Sequence, residues 1–561
     1  MVKVTAFVLI MLAPIGSKDA NAWIVTTAKE KSVEMTAQQR RGQTIYMTGK
    51  SPSGQDIQAR LNDKGASLPA SLMPCVNCHQ DDGKGTTEGG VSPPDIRWSS
   101  LTRPYGIHHQ DGQTSPAYDT RSIKKAISMG VNSAGQSLNQ IMPRYQLSHQ
   151  DMDDLIAFLT GLGNYRISGV RNDSIRIGVI LSEESSGKEN IDGESPITKP
   201  STRAKAITQV LNSYFHEINR RGGIYQREIE TVFIPGPEDF SLQALAQFRQ
   251  RLTDSQVFAF VASALGGIEH LMADFSLASG IPVIGAFSPK PAIEFPLNPN
   301  IFYLLSGQTR QLSALQSFTR GSYFRQHPDN RIPAKTYSPE KRQPGLKAAV
   351  LIEESAEYIP LKQQFNNQDQ HIVMVPSTAK AKVLEKTLTG LKQQGYNQIY
   401  LLTSSFNQKA FISQAHAINW WPYVMLPGSQ FGNALLNSPL KFNEKIFIAL
   451  PNLPFDYKKG GLALFRLLHQ KYGLSPDYQN HQLLALAAAI LLREGLMTTG
   501  RELTPTRLIA NMEALYQFDT ALTRPISYGP NRRLGTSGAY VVTLDLVNKT
   551  IIPVSDWLEI E

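Results

Sequence analysis

Cysteine is nearly absent from this chain, with two in 561 residues. Two cysteines cannot build a disulfide-rich scaffold or a multi-cysteine zinc site, so both classes are excluded. Runs of like charge are missing too. The 56 Lys and Arg outnumber the 47 Asp and Glu by nine, yet basic residues cluster as pairs, such as Arg40-Arg41, Arg220-Arg221 and Arg532-Arg533, rather than as runs. Basic stripes interleaved with aromatics do not occur, so nucleic acid is not an expected partner. A spread positive excess suits docking on an acidic protein surface instead. Long apolar runs are scarce. Leu483 to Leu492 is too short for a bilayer and reads as a buried helix. What is there is ordinary globular material: 41% hydrophobic and 18% charged residues, enough for several packed domains.

The N-terminus reads as an address. Lys3 precedes an apolar stretch, Val4 to Ile15, and Ala20-Asn21-Ala22 has the small-x-small cleavage pattern. Residues 1–22 are therefore expected to be a signal peptide cleaved after Ala22, giving a periplasmic protein that does not span the membrane.

Both cysteines fall in one motif, Cys75-Val76-Asn77-Cys78-His79. C-x-x-C-H is the attachment pattern for one covalent haem c. Two thiols three residues apart on a helical turn reach the two vinyl groups of one porphyrin, and His79 is aimed at the iron. A thioredoxin-like redox pair would need a βαβ context, which the flanking sequence lacks. The second axial ligand is expected from Met142, stiffened by Pro143 in a loop before a helix. Met129 and Met152 fall in helical patterns and read as packing residues. His108 and His109 are the alternative partners. With two axial ligands the iron has no open position, so the expected role is one-electron transfer.

The surroundings agree. Thr36 to Met47 reads as a helix with Gly42 and Tyr46 on one face. Ser148 to Leu162 reads as a second helix, with Ser148 as N-cap and Asp151 at the capping-box position. Residues 36–165 resemble a class I cytochrome c domain, expected to be small and all-α. That resemblance implies a contact between the terminal helices through Gly42 and Tyr46. It also implies that the Pro94 carbonyl holds the other ring nitrogen of His79. Arg97, Trp98, Arg144 and Tyr145 would be haem-propionate partners.

From Ser174 the pattern changes to short apolar strands alternating with amphipathic helices. Ile175 to Leu181, Glu228 to Ile234, Val257 to Ala262 and Pro282 to Phe287 read as strands. Ala204 to Asn219, Leu242 to Leu252 and Ile268 to Ala278 read as the helices between them. The pattern restarts at Lys347 to Ile352, His371 to Val375, Ile399 to Thr403 and Tyr423 to Leu426. This predicts two α/β lobes with doubly wound parallel sheets. The turn Ile218-Asn219 to Gly222-Gly223-Ile224, the strand Gly280-Ile281-Pro282-Val283-Ile284 and the closing segment Phe518 to Val542 resemble the branched-chain amino-acid type of periplasmic substrate-binding protein. The resemblance spans 172–561. It implies a small-molecule ligand between the lobes, with Ser263, Ala264, Glu354 and Tyr358 as contact residues. The polar stretch Ser182 to Ser201 departs from the family's compact loop.

The chain thus resembles cytochrome c fusions to substrate-binding proteins, including those associated with quinoprotein alcohol dehydrogenase systems. The resemblance implies a redox partner, either a periplasmic quinoprotein dehydrogenase or another cytochrome, and no enzymatic activity of the chain itself. Other chemistry is weak. Thr48-Gly49-Lys50-Ser51 ends like a phosphate loop, but Thr44 stands where the earlier glycine is required. No H-E-x-x-H and no G-x-S-x-G is present.

Overall fold

The computed structural model describes residues 35–61, 65–85, 87, 90, 92–108, 114–163, 167–181, 202–319, 347–355, 358–366, 370–377 and 381–560. The expected signal peptide, His109 and the polar stretch 182–201 lie outside them.

The N-terminal domain is mainly helical, with α1 (Ala37–Thr48), α2 (Val76–His79), α3 (Trp98–Leu101), α4 (Thr120–Met129) and α5 (His149–Leu159). Local chemistry sets the helix starts. The Thr36 hydroxyl accepts the Gln39 N–H, and the Gln39 side chain returns to the Thr36 N–H. Ser148 caps α5 by accepting from Asp151 N. The terminal helices α1 and α5 cross at Gly42, where a Cβ would lie 1.9 Å from the Asp154 carbonyl oxygen. Beside this crossing Arg41 clasps the buried Asp154 carboxylate with two bonds of 2.6 and 2.8 Å. Tyr46 packs on Phe158 at 5.2 Å between ring centroids. The expected Gly42–Tyr46 face is therefore the helix contact.

The domain is not purely helical. Strands β1 (Gln58–Arg60), β2 (Ser67–Pro69) and β5 (Arg144–Gln146) form an antiparallel sheet in the order β2-β1-β5. Two further short strands, β3 (Ile107–His108) and β4 (Thr114–Ser115), pair with each other. Three-residue strands are too short to leave a readable alternation, which is why the sequence did not announce them.

Lobe I is a five-stranded parallel sheet in the order β10-β9-β8-β6-β7. Its strands are β6 (Ser174–Leu181), β7 (Glu228–Pro235), β8 (Ala259–Val261), β9 (Val283–Ala286) and β10 (Ile301–Tyr303). Helices α6 (Thr202–Arg220), α7 (Leu242–Asp254) and α8 (Glu269–Ser279) connect them. Lobe II begins with α9 (Gln308–Thr319) and builds on β11 (Ala348–Glu353), β12 (His371–Val375), β13 (Gln398–Leu402), β14 (Tyr423–Pro427) and β15 (Ile446–Leu450), all parallel. Its helices are α10 (Lys362–Asn366), α11 (Ala381–Gln393) and α12 (Ser405–Ala417).

The chain then returns to lobe I as α13 (Lys459–Tyr472), α14 (Gln479–Thr499) and α15 (Pro505–Glu513). It ends in lobe II as β16 (Gly538–Asp545), β17 (Thr550–Pro553) and β18 (Leu558–Glu559), antiparallel to their neighbours. Helix α14 is long and apolar enough to cross a membrane by length and composition. Here its leucines and alanines are buried in the lobe I core with Ile177, Val179, Phe215 and Ile284. Gly285 lets it lie against the sheet, since a Cβ there would meet Ala488 at 2.5 Å.

Helices α6 and α13 are pinned by Glu217, whose carboxylate takes hydrogen bonds from Lys471 Nζ and Tyr472 Oη. These donors, Lys471 first, hold the Glu217 carboxyl down at about 2. Its stabilising contribution is complete above the ordinary value of 4.5 and is lost as pH falls toward about 2. Glu217→Gln is therefore expected to flatten the fall of the lobe I melting temperature across that window. An unchanged acid limb in the variant would refute this account.

Candidate functional site

The haem-binding motif occupies α2. Cys75 is its N-cap residue, Cys78 lies on the same turn, and His79 N–H closes the turn on the Cys75 carbonyl at 2.9 Å. Neither thiol is in a disulfide, and both lie within one turn. Desolvation pushes the Cys75 thiol up to about 12, the opposite of the depressed value an active redox thiolate needs. His79 is 8% exposed and its Nδ1 lies 3.3 Å from the Pro94 carbonyl. Burial drives its ionisation down to about 4, so the ring is neutral at neutral pH. The Pro94 carbonyl takes the Nδ1 proton, which leaves the Nε2 lone pair for a metal.

The segments that carry His79 and Pro94 are laced together. Gly85 N–H bonds the His79 carbonyl at 3.1 Å and Ile96 N–H bonds Gly83 O at 2.8 Å. Tyr46 Oη donates to Gln80 O at 2.6 Å, tying α1 to the residue after His79. Across the domain, Met142 sits half-buried in a loop braced by Arg144. That guanidinium donates to the carbonyls of Leu138, Asn139 and Met142. Tyr145 Oη donates to Met73 O at 2.6 Å, which joins β5 to the start of the motif. Leu68 is register-paired with Ala59, and Ala59 with Tyr145, so the three share a sheet face. Leu68, Leu72 and Ile141 are exposed apolar side chains of this region.

These features fit a haem. Two thiols have the right spacing, a neutral imidazole is oriented by a carbonyl, a thioether sits on a braced loop, and apolar side chains lie nearby. Met129 is 61% exposed at the end of α4, and Met152 is buried in the α5 core, as a packing residue. His108 ends β3, opposite Thr114. Two expected propionate partners are engaged elsewhere. Arg97 forks onto Asp95 at 2.6 to 3.1 Å, and the Tyr145 hydroxyl is spent on Met73. Trp98 opens α3 and packs, half-buried, on the domain core.

The haem domain rests on lobe I. Asp81, half-buried two residues after His79, accepts the Thr506 N–H at 3.3 Å in the first turn of α15. Lys84 pairs with Glu502 at 3.4 Å, and Glu502 also takes Arg507. Gly280, just before β9, meets Met47 of α1, and Gly169 abuts Phe258, just before β8. All these contacts fall at the amino ends of the lobe I strands. The carboxyl ends of the strands, at the opposite pole, are where an open α/β fold places its ligand crevice.

In that crevice the structure redistributes the expected contacts. Ser263 is fully buried; its hydroxyl accepts Ile180 N–H at 3.0 Å and donates to Val261 O at 3.2 Å. Ala264 N–H bonds Ile180 O at 2.9 Å. Both residues make the hydrogen bonds that close the sheet. Tyr358 is 5% exposed and packs with Leu361 and Phe365 in the lobe II core. Glu354 is exposed at the crevice edge.

The residue the sequence reading missed is its neighbour, Glu353. It is 5% exposed at the carboxyl end of β11 and accepts Ser404 N–H at 2.7 Å and Asn407 Nδ2–H at 2.9 Å. The strand's composition could have found it: Glu353 follows five apolar residues and is the last residue of the strand. Around it, Thr403 Oγ1, Asn407 Oδ1 and both amide atoms of Gln430 are buried without hydrogen-bond partners. Such groups cost stability unless a ligand or water satisfies them.

Comparison with known proteins agrees with this geometry. The Cytochrome c family model matches residues 63–163. The chain carries a cytochrome c domain. Beyond it lies a periplasmic-binding-protein-like α/β fold. A branched chain amino acid ABC transporter structure from Thermus thermophilus with bound valine aligns over 69% of this chain and 97% of its own, with 14% identity and a TM-score of 0.51. A fatty acid ABC transporter substrate-binding protein from Thermomonospora curvata aligns over 70% and 94%, with 16% identity and a TM-score of 0.50. No curated protein matches the chain. The chain thus joins a cytochrome c domain to a periplasmic-binding-protein-like α/β fold.

Proposed function

We propose that the chain is an exported, periplasmic monohaem cytochrome that passes one electron at a time and carries a two-lobe solute-binding module. The observation behind this reading is the His79–Pro94 pair beside the Cys75 and Cys78 thiols on one turn, with Met142 on a braced loop. One haem held there through Cys75 and Cys78 supplies reversible one-electron chemistry at its iron. His79 and Met142 would hold its iron. The protein residues then do three things: they fix the ring plane, keep water from the metal and hold the imidazole neutral.

In this reading the signal peptide ends at Ala22. The redox partner is a periplasmic protein with an acidic docking surface, such as a quinoprotein dehydrogenase or a second cytochrome. The crevice at Glu353, Glu354, Asn407 and Gln430 takes a small polar molecule, or the module docks the dehydrogenase. The chain itself is not the oxidising enzyme. Attachment of the haem domain at the amino-end pole of lobe I supports separate partners for haem and crevice. The Asp81–α15 contact favours the second reading, a binding protein for transport or signalling with haem as redox sensor.

Spectroelectrochemical titration tests the proposal. One Nernstian one-electron transition is expected, with no carbon monoxide uptake by the reduced protein. Ready uptake would mean an open coordination site and would refute the electron-transfer role. A midpoint potential that moves when a crevice ligand binds would select the sensor reading.

A further inference from the structure

A second pocket lies away from both the haem turn and the interlobe crevice. It is a hollow of about 260 Å³ at the junction of the lobes, lined by Gln517, Arg524, Ser527, Arg532, Thr536 and Trp557 among others. Two crossing segments meet there. Tyr303 N–H bonds Arg533 O and Gly535 N–H bonds Tyr303 O, both at 2.9 Å, and Ser306 Oγ donates to Gly538 O at 2.6 Å. Arg524, Ser527 and Arg532 belong to the segment packed on lobe I through Leu522, Ile526 and Tyr528. Trp557 belongs to lobe II.

The lining is built for an anion. The Arg524 guanidinium lies 4.7 Å over the Trp557 ring and donates to Tyr540 Oη at 2.9 Å. That hydroxyl in turn donates to Asp456 at 2.7 Å. Arg524 is thus held rigidly at the pocket wall. Arg532 faces the same hollow, with Glu559 at 3.9 Å as its distant counter-charge. Two guanidinium groups against one lining carboxylate leave a net positive charge. Ser527 Oγ accepts the Gln517 N–H at 2.8 Å, so its own proton is left to donate. Thr536 lines the pocket, is 3% exposed, and its buried Oγ1 has no hydrogen-bond partner. A buried, unsatisfied hydroxyl beside two arginines is costly unless something in the pocket pairs with it.

We infer that this pocket is a binding site for a small organic carboxylate, which pairs with Arg524, Arg532 and Thr536 and holds the two lobes at their present angle. The volume equals roughly eight or nine waters, room for a compact molecule. Tyr516, Pro525 and Trp557 give the pocket an apolar side beside its donors. That mixture suits a carboxylate with an apolar body better than a fully hydrated inorganic anion. The bound group touches both lobes, so it acts on the hinge and not through the crevice. The inference stands whatever the crevice binds.

The test is calorimetric titration of the full-length, haem-loaded protein with sodium benzoate, sodium acetate and sodium phosphate at matched ionic strength. Benzoate is expected to bind most tightly. Thr536→Val and the exposed-side Arg532→Gln are each expected to weaken it about tenfold. Hydrogen exchange in saturating benzoate should slow at 515–536 and 557–560. No benzoate binding by the wild-type protein would overturn the inference, and so would phosphate binding as tightly as benzoate. Protection of 263–267 and 404–408 instead, with both variants unaffected, would place the anion in the crevice and likewise overturn it. Arg532→Gln keeps the test valid if Thr536→Val fails to fold.

Discussion

A protein with both Cys75→Ala and Cys78→Ala is expected to emerge without covalent haem and with its N-terminal domain unfolded, while the two lobes still melt as a folded unit. The reason is the size of the two cores. The N-terminal domain buries only a small apolar cluster around Ile45, Tyr46, Leu155 and Phe158. Around the motif, Leu68, Leu72 and Ile141 stay exposed and need a large apolar group to cover them. A domain near 100 residues buries a modest share of its surface and depends on any group that adds to its core. The lobes have independent cores, one around Ile177, Phe215 and α14 and another around Leu351, Leu401 and Ile448. The checks are intact mass, visible absorbance and a two-probe thermal melt. Retained covalent haem, or a single transition shared by all three parts, would contradict the account.

Gly42→Ala is expected to cost the N-terminal domain roughly 3 kcal/mol or more. The added methyl would sit 1.9 Å from the Asp154 carbonyl oxygen and 2.8 Å from Phe158 Cβ. Neither neighbour is a flexible side-chain end, so α1 must move away from α5. That shift pulls Arg41 from the Asp154 carboxylate, which Arg41 holds below the usual carboxylate range. It also pulls Tyr46 from the Gln80 carbonyl beside His79. For a domain of this size the melting temperature should fall on the order of 15 °C, followed by the haem absorbance. The lobe transition should stay in place. A loss below about 1 kcal/mol would show that the helix crossing is softer than its geometry implies.

The parts of the molecule legible in sequence were those with a local chemical signature. The C-x-x-C-H turn, the Ser148 cap and the Gly42–Tyr46 face all depend on residues within a turn or two of each other. Alternation of strands and helices marked both lobes, and the strand at 399–403 lies within one residue of β13. Long-range consequences were not legible. Whether Ser263 faces a ligand or its own sheet depends on Ile180, more than eighty residues away. Tyr358 became a core residue because α10 and Phe365 fold over it. Glu353 gained its partners from α12, and the hinge pocket from segments separated by Tyr540. The return of α13 to α15 into lobe I was equally hidden, since an apolar helix does not name the sheet it covers.

The account turns on the axial ligands, and near-infrared magnetic circular dichroism of the oxidised protein reads them directly. The wild-type protein is expected to show histidine–methionine ligation. Met142→Ala should abolish that signature and shift the potential by a substantial part of the ~0.8 V span that axial ligation commands. Met129→Ala and Met152→Ala should keep it. A bis-histidine spectrum in the wild type, or a signature that survives Met142→Ala, would contradict the assignment and the closed-site electron-transfer role built on it.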